Sequence, residues 1–399
     1  MIKGLQYVSL NGNTGYFTAA RRLILALADA GVNLSWTPVS WRSSLPGPDI
    51  SPGAAGNDPA LAPFYNRELD SDTILLHTLP ENMPYWLDRK GDKRIIGYTV
   101  WETDLLQAHW APILNRLDHL LVPCSWNRDL FRSQGVRVPI SILPHLPGPA
   151  CPAPNSRWAT IPERDFVFYC IESWSERKNL DQTIALFRQC FTADDGVRFV
   201  VKTNPWPESG CMIIKRPVLH HLRALRPLLR QLPGLLKKRI NKVLRETARE
   251  RLRRIKAFTP EGAPVELITE EMTWAEVEGL HERGDCYLSL THGEGFGIGP
   301  FDAAAAGKPV IITGWGGVLD YLDPSQGGLV NWDPTPAWNR AGTGNWAQPR
   351  LSHAASLMSN LLADPDSARL RAEVAKSELH DRFGAATNIP FLRDILAHD

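Results

Sequence analysis

Short apolar runs alternate along most of this chain with stretches whose apolar residues recur at three- and four-residue steps. That alternation predicts parallel β-sheets joined by crossover helices. Gly4 to Leu10 predicts a strand, the loop NGNTG follows, and Tyr16 to Ala30 has helical spacing. Further strands are predicted at Thr73 to His77, Arg94 to Val100, His119 to Val122 and Ile140 to Leu143, with helices over Pro112 to Leu117 and Trp126 to Gln134. The stretch PHLPGPACPAPNSRW, residues 144–158, breaks regular structure and reads as a linker. A second series then runs strand Asp165 to Ile171, helix Leu180 to Cys190, strand Val197 to Lys202, strand Val265 to Leu267, helix Thr273 to Glu282 and strand Asp285 to Leu290. Gly299 to Ala306 reads as a helix, and Pro309 to Thr313 as a strand. The pattern predicts an α/β protein of two tandem domains with a cleft between them.

Length and composition agree with this division. A chain of 399 residues, 43% hydrophobic and 22% charged, suits two soluble globular domains. The N-terminus MIKGLQYVSL has no small-residue cleavage site, and no run reaches about 18 apolar residues, so a cytoplasmic chain is expected. The six cysteines are far apart, with no CxxC pair to suggest zinc or a redox dithiol. Charge changes the picture more. The net charge is only +1, but Ile214 to Lys256 holds fifteen Lys or Arg against two acids, a local +13. Leu235 to Phe258 places its apolar residues at helical steps, which predicts an amphipathic helix with a cationic face. Either this is a solvated helical insertion packed on its own domain, or residues 214–258 attach to an anionic membrane surface. No nucleic-acid partner is expected, because no recognised RNA or DNA module accompanies the charge.

The densest candidate chemistry is THGEGFGIGPFDAAAAGKPVIIT, residues 291–313. A glycine turn entering a helix presents bare N–H groups and the partial positive charge of a helix N-terminus, a combination suited to a diphosphate. Glu294 stands at the turn and Asp302 eight positions later in the first part of the helix, both able to accept hydrogen bonds from sugar hydroxyls. Other chemistries fit less well. Asp70-Ser-Asp72 precedes a predicted strand, where a metal-binding DxD would follow one. NGNTG lacks dinucleotide-site spacing, and there is no GxSxG elbow.

The stretch THGEGFGIGPFDAAAAGKPVIITGWGG resembles the E-x7-E region of the GT-B-fold retaining glycosyltransferases of family four, the glycogen-synthase-like group. NGNTGYFTAARRL is similar to that family's N-terminal glycine loop, IIGYTVWETDLLQAHW, HLLVPCSWNRDLF and ISILPH to the end of its acceptor domain, and IESWSERKNLDQTIALF to its donor-domain opening. Only residues 205–260 fall outside the likeness. The resemblance implies two Rossmann-like domains, an acceptor-side domain at 1–150 and a nucleotide-sugar domain at 151–380, with residues 381–399 forming a helix that packs back toward the first. It implies a nucleotide-sugar donor, a glycan or lipid-linked acceptor, no metal and no cofactor, and cytoplasmic placement, peripheral at the inner membrane face if the basic segment attaches there. Glu294 would then face the transferred sugar, and the backbone of Gly295, Phe296, Gly297 and Ile298 the sugar and diphosphate. Asp302 would hold the ribose, one methylene shorter than the family's glutamate. Arg177 and Lys178 would meet the leaving diphosphate, with Lys202 a substitute for an arginine the family has near Ser173. Gly15 and Tyr16 would start a helix facing the same diphosphate, His77 would lie at a ligand-binding strand end, and Trp101 and Glu102 would contact the acceptor. Nucleotide-sugar epimerisation and a non-catalytic, membrane-associated sugar-nucleotide-binding protein are the alternative functions.

Overall fold

The structure is a computed structural model describing residues 3–12, 14–40, 48, 58–148, 158, 161–162, 164–208, 246–326, 328–337 and 344–397. Its first part runs β1 (Leu5–Asn11), α1 (Gly15–Asp29), β2 (Leu34–Ser40), β3 (Thr73–His77), α2 (Pro84–Leu87), β4 (Arg94–Tyr98), α3 (Trp110–Leu114), β5 (His119–Val122), α4 (Ser125–Ser133) and β6 (Ile140–Ile142). The six strands form one parallel sheet in the order β2-β1-β3-β4-β5-β6. Strand β2, absent from the sequence-based expectation, contains Pro38. It sits at the sheet's edge, the position where a strand tolerates a missing N–H.

The chain continues through β7 (Phe166–Ile171), α5 (Leu180–Cys190), β8 (Val197–Lys202), α6 (Ala248–Phe258), β9 (Val265–Ile268), α7 (Trp274–Arg283), β10 (Cys286–Ser289), α8 (Ile298–Ala305), β11 (Val310–Thr313) and β12 (Leu329–Val330). These strands make a second sheet of six, ordered β12-β11-β10-β7-β8-β9. A short antiparallel hairpin of β13 (Trp332–Pro336) and β14 (Asn345–Pro349) follows, then α9 (Leu351–Ala363), α10 (Pro365–Phe383) and α11 (Ala385–Ala397). Two parallel α/β sheets are thus present, as the alternating pattern predicts.

The chain divides into two compact units, residues 1–152 with 292–399, and residues 153–291. In the first, β3 is buried along its whole length and β4 along most of it. Such strands, covered on both faces, read as continuous apolar runs. Their core includes Leu76, Ile95, Trp110, Leu120 and Phe131. Helix α11 lies against α1, and Arg94 donates to the carbonyl of Ile395. In the second unit, Phe168, Phe187, Phe191 and Phe199 pack ring against ring behind β7 and β8.

Residues 209–245, which hold most of the basic segment, lie outside the described residues. Helix α6 begins at Ala248 and does not run through from Leu235. Thr247 has extended backbone and caps it, exchanging hydrogen bonds with Glu250. Leu252 and Ile255 are buried. Three of its arginines meet acids of the same unit: Arg251 with Asp181, Arg254 with Glu246 and Arg249 with Glu270. Its cationic face is therefore partly neutralised. Among the described residues no helix is long and apolar enough to cross a membrane.

Arg188 of α5 closes the turn between α6 and β9. Buried at 6% exposure, it donates to Thr259 Oγ1 at 2.9 Å, to Ala263 O at 2.5 Å and to the carbonyl of Thr259. Arg188→Met leaves those acceptors without a donor, and we expect a loss of at least about 2 kcal/mol in urea unfolding. An unchanged midpoint would show that the turn holds itself.

Candidate active site

Three segments of the first unit, two of them bearing glycine, meet behind Glu294. Glu294 and Gly316 form a β-bridge, and Gly317 N–H donates to Glu294 O at 2.9 Å. A Cβ on Gly316 would overlap the Glu294 carbonyl, and one on Gly317 the Gly295 carbonyl. A Cβ on Gly295 would overlap Val100, so the turn is seated against the chain just after β4. The Gly295 carbonyl is held at 2.9 Å by Asn127 Nδ2, and Asn127 Oδ1 accepts from Trp101 N–H at 2.8 Å. Asn127 is fully buried and bridges two backbones with one amide. Sequence reasoning missed it. The visible signal is a polar residue on the inward side of the amphipathic stretch SWNRDLF.

The turn leads straight into α8. Gly297 has φ +84, a left-handed conformation suited to glycine, and its carbonyl accepts from Tyr321 Oη at 3.0 Å. Burial raises the Tyr321 hydroxyl's pKa, and the neighbouring Glu294 and Asp302 charges act in the same direction. Helix α1 starts nearby: Thr14 accepts from Phe17 N–H as its cap, and a Cβ on Gly15 would lie 3.7 Å from Ile298 Cδ1. Two helix N-termini therefore converge beside Glu294, which is 4% exposed. Each contributes partial positive charge and first-turn N–H groups without intrahelical acceptors.

A wall of neutral aromatic groups backs this region. His77 is 1% exposed, with Nδ1 2.7 Å from Tyr7 Oη, and it stacks on Tyr98 with ring centroids 4.1 Å apart. Tyr16 meets His77 edge-on, and its hydroxyl lies 3.0 Å from Thr99 Oγ1 and accepts from Val100 N–H at 3.2 Å. Tyr98 donates to Leu143 O at 2.5 Å, so the 2.9 Å contact with His145 Nδ1 requires the histidine to donate. The other side of His145 meets Phe296 edge-on at 4.9 Å. Burial lowers the His77 pKa well below its ordinary value. It pushes His145 down to about 3, with the Arg22 charge adding to the effect. His77 thus joins the turn through a ring stack, and His145, not anticipated from the sequence, is the connecting ring.

Asp302 accepts from Arg22 through both carboxylate oxygens, at 2.8 and 2.6 Å, and from Gly148 N–H at 3.1 Å. Trp101 is buried against Trp110, and its Nε1 donates to Thr103 and Leu105. Glu102 is partly exposed, and its carbonyl is the nearest group to a Cβ placed on Gly293.

The candidate cations belong to the second unit. Asn179, in a left-handed conformation with φ +53, donates to Leu290 O at 2.9 Å, and Thr291 Oγ1 donates to Arg177 O at 3.2 Å. These bonds tie the Arg177–Asn179 turn to the chain following β10. Lys178 Nζ stands 3.8 Å from Glu172 Oε1, which accepts from Ser289 Oγ at 2.6 Å. Lys202 ends β8 and donates to Thr203 O. These groups share the carboxyl edge of a parallel sheet, where open α/β folds bind ligands. Among the described residues no three His, Cys, Asp or Glu side chains gather as a metal-ligand set.

No protein-family description and no curated protein sequence matches the chain. Solved structures do. The sucrose-phosphate synthase of Thermosynechococcus elongatus superposes with TM-score 0.64 at 13% identity, over 99% of both chains. HepE of Anabaena, solved in complex with UDP-glucose, gives 0.64 at 11% identity, again over 99% of both. The α,α-trehalose-phosphate synthase (UDP-forming) of Burkholderia vietnamiensis gives 0.62 at 11% identity, over 99% of this chain and 98% of that one. The chain has the GT-B fold.

The buried histidines make stability pH-dependent. Their folded pKa values lie below the unfolded value of about 6.5, so between the two the unfolded chain binds protons that the folded chain does not. The stability is whole above pH 6.5 and drains away as pH falls toward about 3. We expect His145→Gln to flatten the loss between pH 6.5 and 4.5 by on the order of 2 kcal/mol. Parallel curves for the two proteins in chemical unfolding would count against a neutral buried His145.

Proposed function

We propose that this protein is a retaining glycosyltransferase, moving a sugar from a nucleoside-diphosphate sugar to a hydroxyl of a glycan or lipid-linked acceptor. The observation that carries the reading is the convergence of the α1 and α8 N-termini beside a buried glutamate on bare glycine backbone. A sugar diphosphate needs that pairing: N–H groups and positive potential for the phosphates, and a carboxylate for sugar hydroxyls. The GT-B fold and the UDP-glucose complex of HepE support it.

In this reading Glu294 accepts from hydroxyls of the transferred sugar while the backbone of Gly295 to Ile298 faces the sugar and diphosphate. Asp302 takes a ribose hydroxyl. Lys178 and Arg177 supply fixed positive charge to the departing diphosphate, where negative charge develops in the transition state. Lys202 contributes from the same sheet edge. His77 stays neutral at pH 7 and shapes the wall behind the sugar, and Trp101 holds the Glu102 loop at which the acceptor enters. The leaving phosphate takes the proton of the attacking hydroxyl on the same face of the sugar. The reaction is then chiefly positioning and charge stabilisation, with no metal assigned a role. The reading adds that the +13 segment, residues 214–258, holds the protein to an anionic membrane surface.

Glu294→Gln and Lys178→Ala are each expected to cut transfer by about a hundredfold or more while leaving the folded state intact by circular dichroism. Full activity in both variants would remove the site assignment. Magnetic resonance of the product should show the donor's anomeric configuration, and inversion would rule out the retaining step. Conversion of the donor sugar without any acceptor would point to epimerisation instead. For the basic segment, sedimentation should show binding to phosphatidylglycerol vesicles that weakens from 0.1 M to 0.5 M salt, as screening requires. Equal binding to phosphatidylcholine vesicles would refute the electrostatic contact.

A further inference from the structure

Asp302 has a carboxylate whose acceptor capacity is nearly used up inside the protein. Arg22, in the middle of α1, donates Nη1 to Oδ1 at 2.8 Å and Nη2 to Oδ2 at 2.6 Å. The N–H of Gly148 donates to Oδ1 at 3.1 Å, and Arg22 Nη1 is also held by Leu146 O at 3.0 Å. Both side chains are 10% exposed, so the pair is a fixed part of the structure. A Cβ on Gly148 would approach Arg22 Nη2 to 3.0 Å, so glycine is what lets the backbone come this close. An ionised carboxylate offers about four lone-pair sites. Three are occupied here, and the fourth is on Oδ2. A ribose diol brings two hydroxyl donors to this single place.

We infer that Arg22 is a specificity-determining residue for the nucleotide: by occupying two acceptor sites of Asp302 it leaves room for one ribose hydroxyl, so the protein discriminates weakly between ribo- and 2′-deoxyribonucleotides. The inference rests on the ribose role proposed for Asp302. Its physical basis is substitution. When one acceptor faces two neighbouring hydroxyls, removing either leaves the other to fill the bond, and little affinity is lost. When two acceptors face two hydroxyls, each removal leaves an acceptor unmet, and a bond to a charged group is worth about tenfold or more. The short side chain of aspartate belongs to the same device. It keeps the carboxylate close to α8, within reach of Arg22 on α1 and of the Gly148 backbone.

The test is calorimetric titration of the full chain with UDP, 2′-deoxy-UDP and 2′,3′-dideoxy-UDP, with the GDP series in parallel. For the natural protein we expect the deoxy compound to bind within about threefold of the ribonucleotide and the dideoxy compound about tenfold or more weaker. In Arg22→Met the freed acceptor sites should widen the ribo-to-deoxy ratio to about tenfold. Rejection of 2′-deoxy-UDP by more than about tenfold in the natural protein would overturn the inference. So would equal binding of all three compounds, or an unchanged ratio in Arg22→Met. If that variant does not fold, the series with the natural protein decides by itself. Failure of UDP and GDP alike to bind, with ADP titrated as a third ribonucleotide and equally silent, would instead overturn the nucleotide-site reading beneath it.

Discussion

Gly295 has no side chain because none would fit. Val100 fills the place of its Cβ on one side, and the Gly316–Gly317 turn lies against its carbonyl on the other. This close approach of bare backbone sets the position of the first unit's groups in the candidate site. It brings the Gly295 carbonyl to Asn127, seats Phe296 on His145, and starts α8 at Gly297 in a conformation natural to glycine. Peptide segments around Val100, Gly295 and Gly316 are thereby held against one another. Side chains at these positions would hold the segments apart and dissolve the arrangement.

Around that surface the structure keeps charge sparse and assigned. The histidines behind it are buried and neutral, tied to tyrosines in a ring stack from Tyr7 through His77 and Tyr98 to His145. Neutral walls of this kind lower the local dielectric and strengthen the few charges that remain. Those charges are the Glu294 carboxylate, the Arg22–Asp302 pair and the partial charges of two helix N-termini. Lys178 in the second unit is likewise not a bare cation, because Glu172 stands beside it and is itself held by Ser289. Asp302 and Lys178 are thus each set beside an oppositely charged neighbour within the fold.

Much of this was legible in advance. The apolar runs and period-3.6 patterns marked most strands and helices up to β11 to within a few residues, because strands buried on both faces must be written as unbroken apolar runs, while α2 and the elements from β12 to α10 were not marked. The glycine turn was visible through its unusual density of residues without side chains. Other features were hidden for definite reasons. Strand β2 carries a proline, which reads as a break until its edge position is known. The extended backbone at Thr247 starts α6 at Ala248, where apolar spacing alone gives no boundary. Asn127 and His145 looked like ordinary polar residues, since nothing local tells where their buried partners come from.

The sequence by itself determined the α/β class, the glycine turn, and the presence of Glu294 and Asp302 eight residues apart, because these depend on local periodicity and residue type. The tertiary structure decided what each carboxylate meets. Arg22 and Asp302 are 280 positions apart in the chain and 2.6 Å apart in space. Such a pairing depends on the packing of α1 against the start of α8. Only the folded chain therefore shows that Asp302, which by type is an open acceptor, is already largely engaged.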